Sequence, residues 1–279
     1  MRNKKNSWTR VFLYLFIFIV CIVILYPYFV MFTTAAKSDT EMYAVEEASL
    51  LPHKWQWSNF VEIWSAAPVF RNLVNSILVA GGATLLAILC GIPAAYALSR
   101  MRFRGKGFFL GAVIMSQMFS PVVLLVGIYR LMTNMHLTDS LWGLILLNAA
   151  FNQAFAIWLL RGTFTSISSE MEQAAKIDGC NTLQSMIRVL LPVAAPGIVT
   201  ALIFVFINSW NEYTIALTLI SSDALKPITI GINKFYGFNF IQWQYLFATS
   251  LFATVPVIVL FLLIEKHLAS GLTAGGVKG

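Results

Sequence analysis

The residues best suited to chemistry interrupt an apolar run late in the chain. Asn208, Asn211 and Glu212 would share one face of a continuous helix, because successive helical residues turn by about 100°. An ionised carboxylate that faces lipid is costly, so this face is predicted to line a bundle interior or an aqueous path. Amide groups next to Trp210 and Tyr213 suit sugars, which present hydroxyl edges and apolar ring faces. A hydrogen-bond cluster that holds helices together is the alternative interpretation.

Two further polar side chains, Gln117 and Asn152, lie inside apolar runs and are weaker candidates for the same path. For each of them alone, hydrogen bonding between helices is the favoured interpretation. The histidines and cysteines are widely spaced, which predicts no metal site and no catalytic nucleophile beside a base. The phosphate-loop pattern Gly-x-x-x-x-Gly-Lys-Ser/Thr is absent, so the chain is predicted not to bind or hydrolyse ATP itself.

Composition places the chain in a membrane. It is 58% hydrophobic and 11% charged, whereas a soluble domain carries about 25% charged residues. The net charge of +7 does not indicate nucleic acid as a partner, because the basic residues form short segments beside apolar runs. One such segment, residues 1–10, precedes an apolar run of about 22 residues, which is longer than the roughly 7–15 residues of a signal-peptide core.

Six apolar runs predict a single all-α membrane domain over residues 1–279. The predicted transmembrane helices cover residues 11–32, 72–98, 108–129, 141–160, 197–220 and 243–264. Basic residues in segments 1–10 and 100–106 mark the cytoplasmic side, since positive charge concentrates there. Both termini, including the tail 265–279, are therefore predicted to be cytoplasmic. Residues 161–196 form a cytoplasmic loop between the fourth and fifth helices.

The first half of this loop predicts a short helix with defined ends. Ser169 and Glu172 have the spacing of a capping box, in which each side chain satisfies the other residue's backbone. Lys176 lies near the end of this helix, where a positive charge suits the helix dipole. Gly179 follows, and its lack of a side chain allows the left-handed conformation that ends many helices.

The second half of the loop predicts another short helix. Asn181 is placed to cap its first turn. Its apolar side chains fall on one stripe, which consists of Leu183, Ile187 and Leu190. Pro192 and Pro196 are expected to end or redirect this helix, because proline lacks the backbone donor that an interior helical position needs.

Two capped helices that meet at a glycine between membrane spans resemble the cytoplasmic coupling loop of ABC importer permeases. The signature of that family is Glu-Ala-Ala, three residues, Gly, nine residues and Ile-x-Leu-Pro. This sequence has Gln173-Ala174-Ala175, then Gly179, then Val189-Leu190-Leu191-Pro192. Gln173 replaces the family's Glu, which leaves Glu172 as the candidate carboxylate for contact with the ATPase. The residues that the resemblance assigns to ATPase coupling are Glu172, Gln173, Ala174, Ala175, Asp178, Gly179, Leu191 and Pro192.

Three features resemble the carbohydrate, maltose-type branch of this family. They are Asp178-Gly179, the tail from Gly271 to Gly279, and Trp210-Asn211-Glu212, a motif that lines the translocation path in that branch. The resemblance implies a type I ABC importer permease with six transmembrane helices in the bacterial inner membrane. It further implies a second permease subunit, two ATPase subunits that carry ATP and Mg, and an external binding protein that delivers the carbohydrate.

Two alternative functions stay open from the sequence. In an ion-coupled secondary transporter, Glu212 would bind a coupling proton or cation and no ATPase would be present. In an ABC importer for a non-sugar solute, such as glycerol phosphate or a polyamine, small changes along the path would alter the substrate. A membrane-embedded enzyme is a weaker hypothesis, because the sequence offers no credible catalytic set.

Overall fold

The structure, a computed structural model, describes residues 5–44, 49–237 and 240–274. Within these ranges the chain is mostly helical, as predicted, and an isolated antiparallel bridge joins Tyr236 to Ile241. The α-helices in chain order are α1 (Lys5–Ala35), α2 (Asp39–Tyr43), α3 (Asn59–Ala66), α4 (Val69–Arg100), α5 (Lys106–Ser116), α6 (Pro121–Asn134), α7 (Leu141–Ser166), α8 (Glu170–Ile177), α9 (Thr182–Ser185), α10 (Leu191–Trp210), α11 (Thr214–Leu219), α12 (Ile228–Gly231) and α13 (Trp243–Ala274). The last five residues of the predicted tail motif, 275–279, lie outside the described residues.

Several helices are long and apolar enough to cross a membrane. In the described part of the chain they cover Arg10–Ala35, Val69–Arg100, Leu141–Ser166, Thr182–Trp210 and Trp243–Glu265. Helices α5 and α6 meet the same test only as a pair, and the pair is bent by 99°. The described chain therefore has five candidate spans, or six if the bent pair counts as one, which agrees with an all-α membrane fold.

The predicted third span, residues 108–129, is wrong as a continuous helix. Helix α5 ends at Ser116 and α6 begins at Pro121. Proline suits the first turn of a helix, because its missing N–H has no intrahelical partner there. It also forces the preceding residue, Ser120, into an extended conformation with ψ of 131°. Hydropathy alone did not register this break, since most residues around it are apolar or small and Gln117 is a single polar exception.

The predicted fifth span, residues 197–220, is wrong at its C-terminal end, and the helix that contains its first part begins before residue 197. The helical segment starts at Thr182 and runs to Trp210, where α10 stops. Pro192 does not end it, because a π-helical turn at Met186–Leu190 precedes the proline. This turn shifts the hydrogen bonds by one residue, so that the Leu191 N–H bonds to the carbonyl O of Met186. Pro196 also lies within α10.

The chain divides into two compact units, residues 1–69 with 232–255 and residues 70–231 with 256–279. In the first unit, Asn59 Nδ2 donates to the carbonyl oxygens of Ala35 (2.9 Å) and Lys37 (2.8 Å). Gln244 Nε2 donates to Asp39 Oδ1 at 2.5 Å, which ties α13 to α2. In the second unit, small side chains let α4, α7 and α10 pack closely. This core cluster consists of Ala83, Ala87, Ala149, Ala156 and Val205.

At Gly197, α10 packs closely against Thr163 of α7, and replacement of this glycine gives a first testable prediction. A Cβ added there would lie 2.3 Å from Thr163 Cγ2 and 2.8 Å from Thr163 Cβ. Rotation of the threonine cannot relieve the second contact, so Gly197→Ala is expected to cost about 1–3 kcal/mol through overpacking. Thermal unfolding of the purified protein in detergent should show a lower midpoint. Gly162→Ala is the control, because a Cβ at Gly162 meets nothing within 4 Å; equal midpoints for both variants would contradict the close approach.

Candidate functional site

The predicted loop is a folded segment, which we call the α8–α9 segment and define as Ile167 to Leu190. It consists of α8, a tight turn, α9 and the π-helical turn. Gly179 has φ of 88°, which confirms the predicted left-handed conformation. The turn is closed by the Cys180 N–H, which bonds to the carbonyl O of Ala175 at 2.9 Å. This geometry is the glycine-terminated helix end that the sequence predicted.

The two predicted helix caps have different outcomes. Asn181 caps α9 as predicted, and it forms a full capping box with Gln184: Asn181 Oδ1 accepts from the Gln184 N–H (2.8 Å) and Gln184 Oε1 accepts from the Asn181 N–H (2.9 Å). The capping box predicted for Ser169 is wrong, because Ser169 makes no side-chain cap bond. Ser168 Oγ instead accepts from the Glu170 N–H at 3.2 Å.

Glu172 leaves the predicted cap because it has a stronger partner outside the loop. Its Oε1 accepts a charge-assisted hydrogen bond from Arg100 Nε (2.5 Å), and its Oε2 accepts from the Tyr96 hydroxyl (3.0 Å). Arg100 Nη2 also donates to the carbonyl O of Ile167 (2.8 Å). Glu172 is only 5% exposed. The suggestion that Glu172 supplies a carboxylate at the ATPase-facing surface is therefore wrong, since the side chain points into the protein.

Most of the remaining side chains of the α8–α9 segment face outward. Gln173, Ala174, Asp178 and Gly179 are exposed, whereas Ala175 is buried. Leu191 is half-buried and Pro192 is exposed. The predicted apolar stripe divides: Leu183 and Ile187 are exposed, but Leu190 is fully buried against the helix bundle. The exposed large apolar residues of the segment are Met171, Ile177, Leu183 and Ile187, which we call the α8–α9 surface.

The candidate path residues around Glu212 form a second site, and its structure differs from the prediction because α10 ends before Glu212. The Asn211 N–H makes the last α10 bond, and the carboxylate of Glu212 turns to the next helix. Its oxygens accept from the N–H groups of Ile215 (2.7 Å) and Ala216 (3.0 Å), so Glu212 caps α11. Thr229 Oγ1 donates to the Glu212 carbonyl O at 2.9 Å. The prediction that Asn208, Asn211 and Glu212 share one continuous helical face is therefore wrong.

A small recess lies beside this cap. The residues that line it are Ser76, Val79, Leu144, Asn148, Ser209, Trp210, Glu212, Ala216 and Pro227. Asn152 lies next to it and donates to Ser209 Oγ (3.4 Å). Of the candidate path residues, Trp210 and Glu212 line this recess. Ser76 was missed, because a single serine in an apolar helix carries no sequence signal for a site.

The other predicted path residues lie elsewhere. Asn208, Asn211 and Tyr213 are exposed and do not line the recess. Gln117 lies at the bend between α5 and α6, where its Nε2 donates to the carbonyl O of Phe151 at 3.1 Å. That contact agrees with the interhelical role favoured for this residue from sequence.

Comparison with known proteins identifies the family. The family described as "Binding-protein-dependent transport system inner membrane component" matches residues 87–273. The chain belongs to this family. Similar members of the permease class include the probable ABC transporter permease protein YurM of Bacillus subtilis, 34% identical over 99% of this chain and 89% of YurM. Another is the sulfoquinovosyl glycerol transport system permease protein SmoH of Agrobacterium fabrum, 33% identical over 91% of this chain and 89% of SmoH.

The fold of this inner membrane permease component also matches a solved transporter. A chain of a bacterial ABC transporter involved in the import of the acidic polysaccharide alginate superposes with a TM-score of 0.79 at 22% identity, over 95% of this chain and 98% of that chain. The chain thus has the fold of a type I ABC importer permease. Family and fold together confirm a multi-pass transport permease and do not favour the ion-coupled alternative.

Proposed function

We propose that this permease is one of two membrane subunits of an ATP-driven importer that moves a carbohydrate into the cytoplasm. Two ATPase subunits hold ATP and Mg, and one of them docks on the α8–α9 surface of this chain. An external binding protein delivers the carbohydrate to the outer mouth. The chain itself binds neither ATP nor Mg in this proposal, and its own contribution is to join the docked ATPase to the helices.

The α8–α9 surface is the observation that carries this proposal. Ile177 is 87% exposed, Leu183 60% and Ile187 52%. Lipid does not suit this surface, because the exposed charges of Glu170, Lys176 and Asp178 lie among the apolar side chains. Exposed apolar groups rimmed by charge are typical of a protein contact. The segment is also well ordered by its turn and cap, which suits a surface that must transmit force.

The ion pair between Arg100 and Glu172 supports a cytoplasmic position for this surface. It fixes α8 beside the C-terminal end of α4. The basic residues Arg102, Arg104 and Lys106 follow this end in the sequence. Such a basic segment marks the cytoplasmic side of a membrane protein. The ATPase would therefore dock from the cytoplasm, and we propose that both chain termini lie on that side as well.

The carbohydrate assignment draws on relatives and on the recess. The similar permease SmoH is named for sulfoquinovosyl glycerol transport, and that compound contains a sugar unit. Asn148, Ser209 and Glu212 offer polar groups beside the aromatic ring of Trp210. We propose Asn208, Trp210, Asn211, Glu212, Tyr213, Gln117 and Asn152 as the residues near the solute path. ATPase closure would move the α8–α9 segment and rock the helices, which exposes that path to each side in turn.

Co-purification tests the proposal directly. The tagged chain should bring an ATPase with a phosphate loop and a second permease from native membranes in mild detergent. Ile177→Asp combined with Leu183→Asp places two charges in the docking surface, so this variant should lose the ATPase and keep the second permease. Val61→Asp on α3 is the control, since Val61 is an equally exposed aliphatic residue at 72%. A wild-type chain that purifies alone, even after crosslinking, would refute the importer assignment.

A further inference from the structure

The chain connects α8 to two of its neighbouring helices but not to the third. Residues 167–169 lead from α7 into α8, and α9 with the π-helical turn leads on to α10. Helix α4 ends at Arg100, far earlier in the sequence. Any displacement of α8 therefore reaches α7 and α10 through the backbone, whereas it reaches α4 only through side-chain contacts.

The apolar core does not supply that contact. The buried cluster at this end of the bundle joins α4 to α7 and α10 through Tyr96, Leu160, Phe164 and Ala194. Its described members include no residue of α8. Packed side chains transmit displacement to the residues they touch, so this cluster gives α8 no direct hold on α4. A direct link from α8 to α4 must come from other contacts.

The contacts of Glu172 have the required properties. Each carboxylate oxygen has a separate partner on α4, Arg100 for Oε1 and Tyr96 for Oε2. The side chains of Arg100 and Glu172 are 15% and 7% exposed, so salt screens the pair little. The bond from Arg100 to Ile167 fixes the guanidinium from its other side. The carboxylate therefore cannot shift without a movement of α4.

We propose that Arg100 and Tyr96, acting through Glu172, transmit the displacement of α8 to α4. These are positioning residues for coupling and not docking residues, because the carboxylate faces away from the α8–α9 surface. The inference rests on the proposed function, since an ATPase must drive α8. Glu172 is then a buried residue that transmits movement to α4, whereas Gln173 beside it is exposed on the outer side of α8.

The test separates this role from simple stabilisation. Replacement of a buried ion pair by apolar residues of similar size often preserves stability, so Arg100→Met with Glu172→Met should fold. The complex is purified from native membranes and its amide hydrogen exchange is measured with and without Mg and a non-hydrolysable ATP analogue. The peptides that report are 170–185, which covers α8 and α9, and 97–104, which covers the end of α4.

In the wild-type complex we expect nucleotide to change exchange in both peptides. In the double variant the change at 170–185 should persist with the ATPase still bound, and the change at 97–104 should fall by about fivefold or more. Tyr96→Phe removes a single hydroxyl and should give a smaller reduction at 97–104. The control is Arg102→Met with Arg104→Met, which removes two exposed charges just beyond the end of α4 and should behave as wild type.

Each other result counts against a specific claim. An unchanged response at 97–104 in the double variant, or no response there in wild type, overturns the role of the link. Loss of the ATPase from the double variant would mean that the pair acts in docking, which also overturns it. A wild-type chain that brings no ATPase refutes the proposed function instead, so the two failures are distinguishable.

Discussion

Gly179→Val is expected to remove most of the ATPase that co-purifies with the chain. Gly179 has φ of 88°, and a β-branched residue in that region costs about 1–3 kcal/mol. The turn would rearrange to avoid this cost, and the angle between α8 and α9 would change as a result. The docking surface depends on that angle. If the whole strain energy is subtracted from the free energy of ATPase docking, the affinity of the chain for the ATPase should drop by about 5- to 150-fold. The amount of ATPase retained per chain measures the effect.

Gly179→Asn is the matched control for conformation. A Cβ at position 179 meets nothing within 4 Å, so space does not limit the substitution. Asparagine adopts the left-handed conformation more readily than other residues with side chains. This variant should therefore keep the ATPase. If the valine variant retains as much ATPase per chain as the asparagine variant, docking does not depend on the backbone conformation at this glycine.

Glu212→Ala is expected to destabilise the region around α11. The substitution removes the acceptor for two backbone N–H groups, those of Ile215 and Ala216. Both residues are buried, and each unsatisfied group costs about 1–3 kcal/mol. The midpoint of thermal unfolding should fall by several degrees, and the amides of residues 214–219 should exchange faster. Differential scanning calorimetry and hydrogen exchange of the purified protein measure the two effects.

Glu212→Gln distinguishes the cap from an ion-binding group. The glutamine side chain keeps one oxygen that can accept a backbone hydrogen bond, so stability should lie between that of wild type and that of the alanine variant. An ion-coupled carboxylate predicts a different pattern: the glutamine variant would retain full stability and lose gradient-driven transport. That result would contradict the capping role and revive the secondary-transporter hypothesis.

Local chemistry made parts of the loop predictable. A glycine after an amphipathic turn predicts a left-handed helix end, and Gly179 has that conformation. Asn181 precedes a helix with Gln184 three residues on, and it caps that helix. In both positions the decisive interactions lie within a few residues of sequence. The family signature also spans this segment, so resemblance and local physics agreed.

The wrong predictions share a cause: a short stretch of sequence does not contain the interactions that decide the structure at these positions. Ser169 lost its capping partner because Arg100, 72 residues from Glu172, binds that carboxylate more strongly. The π-helical turn before Pro192 has no sequence signal that separates it from an ordinary helix. The break after Trp210 is set by Glu212, whose carboxylate binds the backbone of α11 instead of continuing the helical face. Apolar runs in the sequence predicted where helices occur, but they did not predict where the helices break.

The bend between α5 and α6 has a consequence for how the cell must produce this subunit. Lipid offers no hydrogen-bond partner to irregular backbone, so the connection at 117–120 has to meet protein or water. Met118 and Phe119 at this bend are 82% and 62% exposed in the single chain. In the importer proposed above, the second permease subunit would cover this connection. A copy inserted without that subunit is therefore expected to be degraded sooner than a copy inserted with it.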